Sequence, residues 1–156
     1  MIRQITCRKA TLKDILIYYN WANEATVRKN AIHPEEIRLD DHKVWYIKKM
    51  KSSYSDLYFF KMKDKPLGQV RFDKNIHNDR YEIDYSIDFQ YRGHGLGQII
   101  IDMAMNKLIA KTKKQIQFEA LVKKDNLASS KIFMNLGFSL INELMINDVT
   151  FEKYFK

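Results

Sequence analysis

The chain has 156 residues, of which 46% are hydrophobic and 13% aromatic, and this composition is typical of a globular protein rather than a disordered one. We expect one domain over residues 1–156 in a cytoplasmic protein, because Cys7 is the only cysteine and no segment resembles a signal peptide or a membrane span. The formal net charge of +8 favours anionic partners, but the lysines are scattered without a nucleic-acid-binding motif, so neither nucleic acid nor a membrane is expected as a partner.

Strands and helices alternate along the predicted chain, and its turns are marked by local signals. Thr11 is followed three residues later by Asp14, which resembles the capping box that begins a helix. Asp40 is expected to cap a later helix, and Asn147-Asp148 to close a last hairpin. In chain order we predict a strand at 2–9, helices at 11–21 and 23–28, a loop at 29–39, a helix from 40, strands at 57–63, 67–73 and 81–89, a helix at 97–113, a strand at 116–122, a helix at 126–135 and strands at 138–146 and 149–155.

The most informative stretch begins at Tyr81. Aromatic and β-branched residues alternate there with polar residues as far as Phe89, which predicts a strand. Gly93, Gly95 and Gly97 follow within five residues, and apolar residues then recur at helical spacing. The segment therefore predicts a strand, a glycine-rich turn and a long helix.

A glycine-rich turn that opens a helix is suited to binding an anion. The first amides of a helix have no acceptor inside the helix, and the helix dipole places a partial positive charge beside them. A phosphate or pyrophosphate fits that position. The turn is not a Walker loop, because Gln98 and Ile99 follow Gly97 where Lys and Ser or Thr are required, and its G-x-G-x-G spacing is not that of a dinucleotide-binding fingerprint.

The turn resembles the pyrophosphate-binding arm of the GCN5-related N-acetyltransferases (GNAT), whose pattern Arg/Gln-x-x-Gly-x-Gly/Ala is filled by Arg92, Gly95 and Gly97. A second motif of this family, Asn, a small residue three later, an aromatic at plus seven and then Leu-Gly-Phe, is matched at Asn126, Ser129, Phe133 and 136–138. The resemblance implies an α+β fold, with a mixed central sheet of about seven strands flanked by helices on both faces.

The resemblance also implies the reaction, which is transfer of acetyl from acetyl-CoA to a primary amine without a metal. The turn would hold the pyrophosphate, and the pantetheine arm would lie along the end of the central strand like an added strand. The residues expected at the acetyl-CoA site are Ile87, Asp88, Phe89, Arg92, Gly93, His94, Gly95, Leu96, Gly97, Asn126, Ser129, Lys131 and Phe133.

Two proton transfers are needed, since the amine must lose a proton and the CoA thiolate must gain one. Glu82 occupies the place where several family members keep a base that acts through water, and Asp84 lies on the same polar face of the strand. Many relatives keep a tyrosine as general acid at the position of Phe133, so this chain departs from the family there. The thiolate either leaves unassisted, as the acidity of thiols allows, or takes a proton from another hydroxyl, with Ser129, Ser130 and Tyr91 nearby in sequence.

The acceptor site is expected in the first third of the chain and on the strand at 67–73. Its candidate residues are Trp21, Asn23, Arg28, His42, Trp45 and Arg71. This set resembles the acetyltransferases of nucleotide-activated 4-amino-4,6-dideoxy sugars in pseudaminic acid biosynthesis, and it overlaps the ribosomal-protein N-terminal acetyltransferases. A protein or peptide amine is therefore an alternative acceptor, which an open groove between loop 29–39 and the last hairpin would favour. A non-catalytic acyl-CoA-binding module is a further alternative, and the exposed last hairpin suggests a homodimer.

Overall fold

The computed structural model describes residues 4–156, and its centre is a seven-stranded sheet in the order β1-β2-β3-β4-β5-β7-β6. The first four strands form an antiparallel meander, β5 lies parallel to β4, and β7 and β6 close the sheet in antiparallel fashion. The strands are β1 (Ile5–Lys9), β2 (Ser55–Met62), β3 (Lys65–Lys74), β4 (Tyr81–Ile87), β5 (Phe118–Lys123), β6 (Ser139–Ile146) and β7 (Val149–Phe155).

Helices cover both faces of the sheet, which confirms the predicted α+β architecture. The helices are α1 (Ile15–Ala22), α2 (Ala25–Asn30), α3 (Leu39–Lys51), α4 (Leu96–Thr112) and α5 (Leu127–Asn135). On one face, α4 and α5 pack over the larger hydrophobic cluster; on the other, α1 and α3 pack over a smaller one that includes Trp21, Tyr46 and Phe59. Because both faces are covered, Leu57 to Phe60 of β2 are buried without alternation.

The start of two helices differs from the sequence-based prediction. Asp40 is not the N-cap of α3: the helix begins at Leu39 after Arg38, and Asp40 lies in the first turn, where a carboxylate favours the helix dipole. At Thr11 the capping interaction is present, since the Asp14 carboxylate accepts a hydrogen bond from the Thr11 N–H at 2.7 Å. It caps a short 3₁₀ turn, and the α-helix starts only at Ile15. The predicted first strand is observed from Ile5, because residues 1–3 lie outside the described part of the chain.

The strands β4 and β5 pair over only a short distance. Their register contains the pairs Tyr81 with Phe118 and Glu82 with Glu119, whereas β4 stays paired with β3 as far as Ile87. On its other side, β5 stays paired with β7 as far as Lys123. The two parallel strands therefore separate after their first residues and leave a V-shaped opening in the sheet, which we call the cleft.

The strand β6 forms one edge of the sheet. Leu140, Ile141 and Met145 on this strand are exposed, so an apolar strand edge faces solvent there. The homodimer suggested by the sequence stays a prediction.

Candidate active site

The glycine turn lies at the wide end of the cleft and leaves the first amides of α4 unoccupied. Gly95 is the N-cap, with φ of 73°, and Gly93 has φ of 80°, so both adopt the left-handed conformation that glycine permits. Among the described residues, no acceptor within the protein is bonded to the N–H groups of Gly93, His94 or Gly95. All three residues are exposed, and a Cβ on either glycine would meet no atom within 4 Å. The turn therefore presents free N–H donors and a helix dipole to solvent, an arrangement that is suited to an anion.

The third glycine has a different role. Gly97 is buried, and a Cβ there would lie 3.0 Å from the Ile132 Cδ1 atom and 3.3 Å from the Tyr85 Cε2 atom. Leu96 is buried in the larger hydrophobic cluster. Gly97 therefore allows α4 to approach α5 and β4 closely.

The guanidinium of Arg92 contacts protein groups around the turn. Its Nε donates to the Ile87 carbonyl at 3.0 Å, and its terminal nitrogen lies 2.8 Å from the Glu24 carboxylate. The Arg92 hydrogen bond lowers the pKa of Glu24, which is also the N-cap of α2. A second link runs nearby, because the Trp21 indole donates to the Asp88 carboxylate at 3.0 Å. The glycine turn is thus tied to α1 and α2 across the end of β4.

The end of β4 and the start of α5 carry further residues predicted to bind acetyl-CoA. β4 ends at Ile87, and Phe89, which was predicted within it, lies exposed on a 3₁₀ turn that the Asp88 side chain begins. Asn126 caps α5, since its side chain accepts from the Ser129 N–H at 3.4 Å. Lys131 is exposed on the same helix. These placements add structural roles to Asp88 and Asn126, while their contacts with acetyl-CoA stay predictions.

Phe133 is a core residue, only 2% exposed, and it packs against Tyr85, Phe138 and Tyr154. The Tyr85 hydroxyl lies 3.0 Å from the Ser129 Oγ atom and donates to it. Sequence analysis did not select Tyr85, although the alternation of β4 places it on the same face as Tyr81, Ile83 and Ile87. Tyr85 therefore places a tyrosine hydroxyl beside Phe133 from β4, whereas the family's usual tyrosine would lie on α5.

On the opposite face of the sheet, charged side chains form facing pairs between β3 and β4. The register sets Arg71 opposite Asp84 and Asp73 opposite Glu82. Arg71 binds Asp73 at 2.8 Å and Asp84 at 3.5 Å, and its guanidinium lies over the Trp45 ring. This confirms that Glu82 and Asp84 lie on one polar face of β4, where Arg71 is paired with Asp73.

Glu82 is the carboxylate of this face with an environment suited to a base. Its side chain reaches solvent, yet the surrounding protein desolvates the carboxylate and the Asp73 charge repels it, so the pKa of Glu82 is raised. Burial would also raise the pKa of Asp73, but Arg71 and Lys49 outweigh that effect and lower it. A raised pKa makes Glu82 the better proton acceptor near neutral pH.

Most predicted acceptor residues hold the protein together at this face. Asn23 makes two hydrogen bonds with the backbone of Ile37, each at 2.8 Å. Arg28 donates to the carbonyls of Ala22 at 2.6 Å and His33 at 2.8 Å. Both residues fix the loop between α2 and α3, and direct contact with an acceptor stays a prediction.

His42 is buried, and its ring packs against Trp45 and Tyr46 while its Nε2 atom lies 2.9 Å from the Ile15 carbonyl. Burial lowers the pKa of His42. This position gives the histidine a place in the packing of α3 against α1.

An open groove of about 690 Å³ lies between the loop after α2 and the last hairpin. Its lining combines apolar and basic side chains, with the Lys123 ammonium donating to the Lys29 carbonyl at 3.1 Å. The remaining lining residues are Ala31, Ile32, His33, Pro34, Glu35, Asn147, Val149 and Phe151. The volume is within the range of small-molecule sites.

Within residues 4–156, neither a membrane-spanning helix nor a cluster of metal ligands is found. No helix in this range has the length and apolar character needed to cross a membrane. Nor does this part of the chain bring together three or more His, Cys, Asp or Glu side chains that could hold a metal ion.

Comparison with known proteins identifies the family. Residues 4–139 match the acetyltransferase (GNAT) domain family, whereas no curated protein sequence matches the chain. The fold is similar to that of a spermidine N-acetyltransferase from Vibrio cholerae in complex with CoA and spermine, with a TM-score of 0.87, 16% identity and coverage of 99% of this chain and 95% of the other. It is also similar to a ribosomal L7/L12 α-N-protein acetyltransferase in complex with coenzyme A, with a TM-score of 0.83, 15% identity and coverage of 98% and 93%.

A domain from Methanocaldococcus jannaschii has a TM-score of 0.79, 19% identity and coverage of 96% of each chain. At such identities the solved structures establish the shared fold, while the family match extends over most of the sequence. The chain belongs to the GNAT acetyltransferase family.

Proposed function

We propose that this acetyltransferase transfers the acetyl group of acetyl-CoA to the primary amine of a nucleotide-linked amino sugar. The observation that carries the donor assignment is the cleft between β4 and β5, which runs to free N–H groups at the start of α4. Acetyl-CoA matches this arrangement, because the free backbone N–H groups suit its diphosphate and the unpaired strand edges suit the amide groups of its pantetheine arm.

The side chains around the cleft supply the remaining chemistry. The open backbone edge of β4 offers N–H donors for the oxyanion that forms when the amine attacks the thioester carbonyl. Glu82, with its raised pKa, takes the proton of the amine through a water molecule. Asp84 is engaged by Arg71 and by the Gln69 amide at 3.0 Å, so it is the weaker candidate for this role.

The size and the basic side chains of the groove beside the last hairpin are the features that favour a nucleotide sugar, whereas its open shape favours a peptide. Its volume suits a nucleotide-linked sugar, and Val149 and Ile32, which are partly exposed, offer apolar surface to a base or a deoxysugar. Lys29 is exposed there, and within residues 4–156 its ammonium has no salt-bridge partner, so it is free to bind a phosphate. Arg71 and Arg28, which the sequence suggested for the nucleotide phosphates, are already bonded, and in this proposal the lysines take that role.

A peptide amine is the second candidate, because the groove is open between the loop and the last hairpin. A peptide needs an open groove because its chain continues beyond the reacting amine, whereas a small molecule can be enclosed in a pocket. The two candidates differ in charge, since a nucleotide sugar carries a diphosphate and a peptide N-terminus carries a cation.

The test offers the purified protein acetyl-CoA together with a nucleotide-linked 4-amino-4,6-dideoxy sugar, a peptide with a free N-terminus, or spermidine, and follows thiol release. We expect release above the hydrolysis background with the nucleotide sugar. Replacing Lys29 with Ala should raise the KM for the sugar and leave CoA affinity unchanged, and Lys48→Ala on α3 is the matched control. Thiol release with the peptide alone would select the second candidate. Tight acetyl-CoA binding without release for any amine would favour a non-catalytic module.

A further inference from the structure

We propose that Tyr85 is the general acid that protonates the departing CoA thiolate, with Ser129 as its positioning residue. This inference rests on the proposed function and adds a role that the family pattern does not place on this strand. It follows from where the hydroxyl lies relative to the cleft.

The Tyr85–Ser129 hydrogen bond spans the two sides of the cleft. Tyr85 lies on β4, beyond the last residue that pairs with β5. Ser129 lies in the first turn of α5, the helix that follows β5. The 3.0 Å contact between the two hydroxyls therefore crosses the gap that opens between the parallel strands. A thioester held along the open edge of β4 would lie against this pair.

Phe133 occupies the position of the family's usual general acid but cannot supply a proton, and Tyr85 packs next to it. Phe133 lacks a hydroxyl and is buried, with its ring edge-on to that of Tyr85 at 5.9 Å between centroids. Gly97 creates room for the tyrosine ring, since a Cβ there would come within 3.3 Å of it. The glycine motif and Phe133 thus both contribute to the position of the Tyr85 hydroxyl.

Other hydroxyls near the second motif are engaged or misplaced. The Ser130 hydroxyl donates to the Glu152 carboxylate at 3.3 Å, and the Tyr154 hydroxyl binds the same carboxylate. Tyr91 lies on the 3₁₀ turn next to Arg92, at the diphosphate end, whereas the thioester sulfur is separated from the diphosphate by the whole pantetheine arm. Of the two tyrosines on β4, Tyr81 lies where the strand is still paired with β5, whereas Tyr85 lies beyond that pairing, along the open edge.

In this step the proton of Tyr85 passes to the sulfur of CoA. As the tetrahedral intermediate collapses, the carbon–sulfur bond breaks and its electron pair goes to sulfur, while the Tyr85 O–H bond breaks and its proton passes to that sulfur. The Ser129 hydroxyl then donates a hydrogen bond to the phenolate, which regains its proton from solvent. Burial raises the pKa of Tyr85, so the phenol is protonated and able to act as an acid at neutral pH.

The experiment compares steady-state kinetics and CoA affinity for four variants. Tyr85→Phe should lower kcat by about 100-fold, the lower part of the range for a lost acid catalyst, with KM and CoA affinity within twofold of the wild type. It should also lose the fall in kcat at alkaline pH that ionisation of the acid causes. Ser129→Ala should keep that fall but move it to higher pH, because the hydrogen bond that the Ser129 hydroxyl donates to the phenolate lowers the pKa of the phenol.

The remaining variants separate catalysis from structure. The double variant Tyr85→Phe with Phe133→Tyr returns a hydroxyl at the family position with no change in composition, and partial recovery of kcat supports the role. Ser130→Ala is the matched control and should behave like the wild type. A Tyr85→Phe enzyme with kcat within threefold of the wild type, or with lost CoA binding, overturns the assignment. A wild-type protein that acetylates no amine overturns the proposed function as well, and this result is read before any variant is made.

Discussion

A charge series at Gly95 tests the anion site directly. We consider replacement of Gly95 by Ala, Glu and Lys. The residue is the N-cap of α4 with φ of 73°, and it borders open space, so all three side chains can be accommodated sterically. They share the same backbone strain, about 1–2 kcal/mol for an L-residue in the left-handed region.

The difference between the Glu and Lys variants therefore reports charge alone. A unit charge about 4 Å from another contributes ~1 kcal/mol in water and ~4 kcal/mol at an effective dielectric constant near 20. At this exposed turn we expect the Glu variant to lose about 1.4 kcal/mol or more of CoA binding relative to Ala, which is a tenfold weaker affinity. The Lys variant should bind at least as tightly as the Ala variant.

The assay is calorimetric titration of CoA into each variant at low and at high salt, with the free energy of unfolding measured in parallel. The difference in CoA affinity between the Gly95→Glu and Gly95→Lys variants should become smaller at high salt, because exposed charges are screened. Lys107→Glu is the control, since it also makes the net charge more negative but lies roughly 18 Å further along the helix, and it should leave CoA affinity unchanged. Equal CoA affinity of the Glu and Lys variants would refute the placement of the diphosphate at this turn.

Three further predictions address the acceptor face and the packing. Glu82→Gln should abolish the acidic limb of the pH profile of kcat/KM. A carboxylate with a raised folded-state pKa stabilises the fold less once pH rises above that pKa. The variant should therefore unfold at a higher urea concentration than the wild type at pH 7 but not at pH 4. Asn23→Ala should cost about 1–2 kcal/mol of stability and raise the acceptor KM, because the loop at Ile37 loses both bonds, and an unchanged KM would separate this loop from the acceptor site. Gly97→Leu should destabilise the fold by about 1–3 kcal/mol through overpacking, whereas Gln98→Ala, half-exposed beside it, should be nearly neutral in denaturant unfolding.

The parts of this protein that sequence analysis predicted correctly are those specified by short-range periodicity. The alternation from Tyr81 to Ile87 and the helical spacing after Gly97 each depend on neighbours within one or two turns. The resemblance to a family then extended these local signals to the whole sheet. The error at Asp40 has the same origin, because Asp is favoured both at the N-cap and in the first turn, and the sequence alone does not distinguish the two positions.

The details of the candidate site depend on contacts between residues distant in sequence. Arg92 meets Glu24 from 68 positions away, and Tyr85 meets Ser129 from 44 positions away. No local pattern encodes either pair, because each depends on how the helices are placed over the sheet. The sequence therefore placed Arg92 only in the pattern of the glycine turn, and Tyr85 only among the alternating residues of the strand.

The sheet separates two hydrophobic clusters that share few side chains. The larger lies under α4 and α5, where we propose that acetyl-CoA binds, and the smaller lies under α1 and α3 on the opposite face. Substitutions in distant clusters have nearly additive effects on stability. We therefore expect substitutions in the smaller cluster away from Trp21, such as at Trp45 or Met50, to leave the packing of α4 and α5 nearly unchanged.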